Sequence, residues 1–205
     1  MSGDDPNPRE ADLKGKLEEE VQRRDVVRWI WRVPVLLAAG VGSWGMYQAI
    51  HTHFFKRRPD PTPSFVPHTP VDVAPVSSFA SDWTEQLFAF AAQPAIAMRL
   101  PGPIPGSLDV NGVHLAAFSR ICTHLGCAVQ LNRDTEAIAF AFNHRTDGPQ
   151  LVCRCHLSVF DPQQAGRAVA GPAVYPLQRV ELAVTPEGQV QAVGLEEARG
   201  GYGAR

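Results

Sequence analysis

The chain has 205 residues, 44% of them hydrophobic, and a formal net charge of −2. That suffices for one ordinary domain with appendages, and the near-neutral balance excludes the basic footprint that nucleic-acid binding requires. The three lysines, Lys14, Lys16 and Lys56, lie in the first 56 residues, and the 4 cysteines fall in two short clusters far from them.

Residues 1–28 read as a polar, charged segment in which Leu13, Leu17 and Val21 recur every four residues, the pattern of a helix with a narrow apolar stripe. Within it QRRDVVRWI, residues 22–30, sets Arg23 and Arg24 just before an apolar run and resembles a twin-arginine export signal, which addresses folded proteins across the bacterial plasma membrane. Residues 29–50 form that run, and Val33 to Ile50 carries no charge. At 1.5 Å per residue, 18 to 22 residues span roughly 27–33 Å, the depth of a bilayer core. Trp29, Trp31, Trp44 and Tyr47 suit its interfaces. No small-x-small cleavage site follows the run, so the expectation is a retained single-pass anchor. Basic residues predominate before the span (Lys14, Lys16, Arg23, Arg24, Arg28, Arg32) over those after it (Lys56, Arg57, Arg58). That bias places the N-terminus in the cytoplasm and the remainder on the extracytoplasmic, periplasmic side.

Residues 51–75 carry Pro59, Pro61, Pro63, Pro67, Pro70 and Pro75. Such a stretch favours polyproline II and predicts a semi-rigid hinge. From residue 76 to 205 short apolar runs alternate with turn residues, as an antiparallel β domain requires. QPAIAMRL, VHLAAFS, AIAFAF, PQLVC, YPLQRVELAV and PEGQVQAV are the expected strands. Asn111-Gly112 fits a type I′ hairpin turn, and PEGQ at 186–189 fits another turn. SDWTEQLFAF, residues 81–90, opens as a helical turn capped by Ser81 or Asp82.

CTHLGC, residues 122–127, and CRCH, residues 153–156, each offer two thiols and an imidazole. Three chemistries use such a set. A tetrahedral zinc site accepts two Cys and two His, although its usual spacing pairs Cys with Cys and His with His. A disulfide-stapled domain explains the cysteines but leaves the histidines idle. A two-iron cluster held by Cys₂ on one iron and His₂ on the other calls for two mixed Cys/His loops. His51, His53, His68, His114 and His144 lack the spacing and read as linker, surface or strand residues.

CTHLGC followed by C-x-CH resembles the Rieske proteins of cytochrome bc complexes. The resemblance covers anchor, hinge and cluster domain. It implies a mainly β protein: an antiparallel β sandwich of Rieske type with a small cluster-binding subdomain at about 118–176, preceded by one transmembrane helix. It implies one 2Fe-2S cluster with Cys122, His124, Cys153 and His156 as ligands, a disulfide between Cys127 and Cys155, and Ser158 bonding a cluster sulfide. Gly171 and Pro172 match the proline loop that covers the cluster, and Leu125 offers an apolar docking rim. Three residues depart from the family pattern. Arg154 stands for a proline between the second-loop cysteines, Leu157 for a glycine, and Phe160 for a tyrosine whose hydroxyl bonds a ligand sulfur.

The family function that follows is electron transfer in a quinol–cytochrome c reductase, an oxidoreductase in which this chain is not catalytic alone. An oxidised core with two thiolates is neutral where a four-thiolate site is doubly negative, so it accepts an electron more readily, at ~−150 to +300 mV. His156, with His124, would meet the quinol and couple electron uptake to imidazole protonation. Cytochrome b and a c-type cytochrome are the implied partners. The alternatives are the Rieske small subunit of an arsenite oxidase-like molybdoenzyme and, in a different class, a zinc-binding structural module.

Overall fold

The computed structural model describes residues 8–54, 56–198 and 200. The chain divides into two compact units, residues 1–50 and 51–205. The first is dominated by one helix, α1 (Pro8–Phe54), which runs through Pro34 and joins the polar segment to the apolar run without a break. Within it Val26–Tyr47 is long and apolar enough to cross a membrane, and none of that window is buried. An unburied apolar helix of 22 residues fits a single-pass anchor, because a bilayer supplies the apolar surroundings the protein does not. The side chains of Arg23 and Arg24, and hence the export-signal expectation, lie outside the described ones, as do those of His51 and His53.

The second unit is β-rich, as the alternating pattern requires. Eleven strands follow: β1 (Phe65–Pro75), β2 (Glu85–Phe90), β3 (Gln93–Leu100), β4 (Leu108–Val110), β5 (Val113–Ser119), β6 (Gln130–Asn132), β7 (Gln150–Cys153), β8 (Ser158–Asp161), β9 (Arg167–Ala170), β10 (Arg179–Val184) and β11 (Gln189–Glu196), with helix α2 (Thr135–Phe142) between β6 and β7. A seven-stranded sheet has the order β1-β11-β10-β5-β3-β2, with β4 pairing β5; a four-stranded sheet has the order β6-β7-β8-β9. Pairing is antiparallel throughout.

Period-two alternation builds the core. Ile96, Met98 and Leu100 of β3 and Phe118 of β5 pack with Leu151, Phe160 and Ala168 of the smaller sheet, in a cluster that also contains Cys122 and Cys153. The alternate residues Ala95, Ala97, Leu115 and Ala117 face a second cluster with Val180, Val190 and Ala192. β3 and β5 are thus apolar on both faces. In the smaller sheet Val152 and Val159 point outward, against Ile138 and Phe142 of α2. A buried pair fixes the seven-stranded sheet: Arg179 donates from Nη2 and Nε to the Glu196 carboxylate, at 2.6 and 2.8 Å, and from Nη1 to the Pro105 carbonyl at 2.8 Å.

Three expectations change. The hinge expected over 51–75 is shortened from both ends: α1 runs to Phe54, and 65–75 is β1, so the β domain starts before residue 76. Proline fits there because β1 is the sheet edge, where part of the backbone needs no ladder partner. Register shifts flank Val71 and Asp72. AIAFAF is helix α2, not a strand: the Asp134 side chain accepts from the Ala137 amide at its N-terminus, and Asn143 closes it in the left-handed conformation. SDWT is a turn leading into β2. The hairpin holds, with Asn111 and Gly112 at φ 52° and 81° and Val110 facing Val113.

Candidate metal centre

Three loops meet at one end of the four-stranded sheet. The first, Ile121–Ala128, is closed by a bridge between its end residues. Inside it the Cys122 amide donates to the Cys127 carbonyl and the Gly126 amide to the Cys122 carbonyl, both at 2.8 Å. The second is the β7–β8 turn, in which Cys153 faces Ser158 and residues 154–157 project beyond the sheet. The third, 171–176, follows β9.

Cys127 and Cys155 form a disulfide, with Cα atoms 6.5 Å apart and a sequence separation of 28. It ties the first loop to the second. Their sulfurs and that of Cys153 lie within 4.8 Å of one another; with two of the three joined, only Cys153 offers a thiolate there. Cys122 and Cys153 are free and buried, side by side within hydrogen-bonding reach. Burial pushes the Cys122 thiol up to about 11; the neighbouring Cys153 adds to the rise, while the backbone amides of His124 and Leu125 pull it down. A thiol held in its neutral form must surrender a proton to ligate metal, so loading releases protons.

The His124 and His156 rings meet edge to face, centroids 4.9 Å apart. His124 Nδ1 is buried with no hydrogen-bond partner among the described residues. Burial lowers the His124 pKa, with the positive fields of His156 and Lys56 lowering it further. A buried nitrogen without a partner is costly unless something satisfies it. Two buried free thiols beside an imidazole with an orphaned nitrogen suit a metal group that takes thiolates on one side and imidazole on the other, so the residues fit a 2Fe-2S cluster of Cys₂His₂ type.

Ser158 is fully buried; its Oγ accepts from the Ala173 amide at 3.2 Å, and its hydroxyl hydrogen has no acceptor among the described residues. Gly171, φ +73°, presses on the second loop: a Cβ there would meet the Leu157 carbonyl oxygen and lie 2.6 Å from Ser158 Cα. Thr123 Oγ1 donates to the Tyr175 carbonyl at 2.8 Å, joining the first loop to the third. Phe160 is fully buried in the same core cluster as both free cysteines. Leu125 is 58% exposed and Leu157 48%, beside an exposed His156. Leu157 sits at φ +60°, a conformation that costs an L-residue ~1–2 kcal/mol and that glycine adopts without that cost.

The cysteines and histidines of the two expected loops therefore come together, while of the histidines expected outside the site His68 meets Phe90 edge to face and His114 pairs with Asp109. Sequence reasoning missed Thr123 and Lys56. Lys56 Nζ donates to the carbonyls of Gly171 and Ala173, and burial lowers its pKa. No local pattern announces either contact; Lys56 and Gly171 are 115 residues apart.

A family model for the Rieske [2Fe-2S] domain matches residues 107–181. The cytochrome bc1 complex Rieske iron-sulfur subunit of Streptomyces lividans is 32% identical over 96 residues, 46% of this chain and 49% of that one. A protein of Haloferax mediterranei named as a respiratory nitrate reductase Rieske subunit is 35% identical over 78 residues, 38% of this chain and 29% of that one. The chain spans about half the length of the first of these relatives and less of the second. The soluble domain of Rieske protein II from Sulfolobus acidocaldarius superposes with a TM-score of 0.50 at 22% identity, covering 67% of this chain and 83% of that one, a likeness of fold. The domain match favours the two-iron reading of the cysteine clusters over the zinc-module and disulfide-only readings.

Proposed function

We propose, from the premise that this chain carries a Rieske [2Fe-2S] domain, that it is the electron-transfer subunit of a membrane quinol–cytochrome c reductase. The observation that carries this is the union of two free buried thiols with a histidine pair at an exposed tip. Cys122 and Cys153 are the thiolate ligands in this reading, and His124 and His156 the imidazole ligands. When bound, such a cluster supplies one-electron chemistry in the potential range of quinols.

The chain's own residues do the rest. His156 presents its ring to solvent and offers its outer nitrogen to the quinol hydroxyl, where it holds the proton that leaves with the electron. Leu125 and Leu157 exclude water around that contact and dock on an apolar surface of cytochrome b. Ser158 turns its free hydroxyl hydrogen toward a cluster sulfide, and Gly171 lets the third loop lie close against the second. A c-type cytochrome is the acceptor. The span Val26–Tyr47 anchors the chain with its N-terminus in the cytoplasm. The Cys127–Cys155 disulfide supports an oxidising, extracytoplasmic location for the cluster domain, reached by the twin-arginine route.

A second reading rests on the Haloferax mediterranei relative: the same domain would serve a respiratory reductase of another class. Isolation of the intact complex from native membranes in mild detergent decides. Co-purifying b-type and c-type haem with quinol:cytochrome c activity that His156→Ala abolishes supports the proposal. A molybdenum-containing partner without b-type haem rejects it in favour of the second reading.

A further inference from the structure

The segment that follows α1 is stitched to the third loop from outside. Lys56 Nζ donates to the carbonyls of Gly171 and Ala173, and the Arg57 amide donates to the Val174 carbonyl at 2.9 Å. Thr123 and Ser158 hold the same loop from inside, through the Tyr175 carbonyl and the Ala173 amide. Lys56 is half-buried, and no carboxylate pairs with its ammonium among the described residues. Among the described residues its charge is therefore not neutralised.

We propose that Lys56 is a positioning residue that raises the reduction potential of the cluster, by pinning loop 171–174 over it and by setting an unneutralised positive charge beside the histidine pair. Accepting an electron makes the site more negative, and a nearby cation favours the more negative state. Lys56 bonds the Gly171 carbonyl, and Gly171 lies against the backbone of Leu157 and Ser158, next in the chain to His156, which sets the ammonium close to the second loop's histidine. The inference rests on the ligand assignment proposed above.

The test uses the full-length, cluster-loaded protein in detergent, with redox titrations of wild type and of Lys56→Met, Lys56→Gln and Lys56→Arg at low and high salt. At a fixed poise, Met and Gln should lower the reduced-to-oxidised ratio roughly threefold, ~28 mV at 59 mV per decade. The gap should shrink at 1 M salt, where the Debye length is ~3 Å, and Arg should titrate as wild type does. Hydrogen exchange at the Ala173 amide should quicken in Met and not in Arg. Met and Gln titrating with wild type, or Arg falling with Met, would overturn the proposal. Should Met fail to retain the cluster, Gln against Arg decides: Gln below Arg upholds it, and Gln equal to Arg overturns it. A wild-type protein without a two-iron cluster would instead sink the ligand assignment, which metal analysis detects before any titration.

Discussion

Replacing Gly171 with alanine tests how tightly the third loop seals the second. Gly171 adopts φ +73°, and the added Cβ would run into the Leu157 carbonyl oxygen and lie 2.6 Å from Ser158 Cα. Both obstacles are backbone, and Ser158 is fully buried, so neither can swing away as a side-chain tip would. The left-handed conformation costs ~1–2 kcal/mol, and forcing a packed backbone aside adds ~1–3 kcal/mol. A total of ~2–5 kcal/mol, at ~2–4 °C per kcal/mol for a unit of this size, lowers the melting temperature by roughly 4–20 °C. The displaced loop also loses the Ala173 amide to Ser158 Oγ bond, so iron per chain falls. Gly112→Ala is the control: φ is +81° there too, but nothing lies within 4 Å of the added Cβ, so only the conformational cost remains. Calorimetry with iron and labile-sulfide assays reads both variants. A Gly171→Ala protein that melts with Gly112→Ala and keeps its iron would refute the packing argument.

Opening the Cys127–Cys155 disulfide by Cys→Ala at both positions should cost ~3–4 kcal/mol by loop-closure entropy over 28 residues, read by denaturant titration; an unchanged midpoint would show that the loops are held by other bonds. Glu196→Ala leaves the Arg179 guanidinium buried without its partner and should destabilise the domain by ~3–5 kcal/mol, whereas a loss below ~1 kcal/mol would mean that water replaces the carboxylate. Phe160→Tyr should raise the midpoint potential, because a hydroxyl donated to a ligand sulfur stabilises the reduced state; no rise in a redox titration would place the new hydroxyl out of reach.

The meeting of the two Cys/His loops was legible because ligation, the chemistry expected of them, needs particular atoms at fixed spacing. Cys122, His124, Cys153 and His156 could be named from two six- and four-residue strings. The strands followed wherever one face is buried and alternation is enforced, as in β3 and β5. α2 was not legible by that rule. Ala137, Ala139 and Ala141 alternate with Ile138, Phe140 and Phe142 and imitate a strand. The contrary signals were the Asp134 cap and the four-residue spacing of Ile138 and Phe142, the two that pack on the sheet. β1 was hidden by its prolines, which an edge strand tolerates and an interior strand does not. Lys56 and Thr123 were invisible because their acceptors are backbone carbonyls, which every residue offers. The left-handed Leu157 shows only once the β7–β8 turn is built.

The most direct measurement is nitrogen hyperfine spectroscopy on the reduced full-length protein, labelled with ¹⁵N-histidine, beside its iron and sulfide content. Two irons and two labile sulfides, with two histidine nitrogens coupled and one lost in each of His124→Ala and His156→Ala where a cluster remains, is the predicted result. One zinc per chain, or an iron cluster with no histidine coupling, would contradict it.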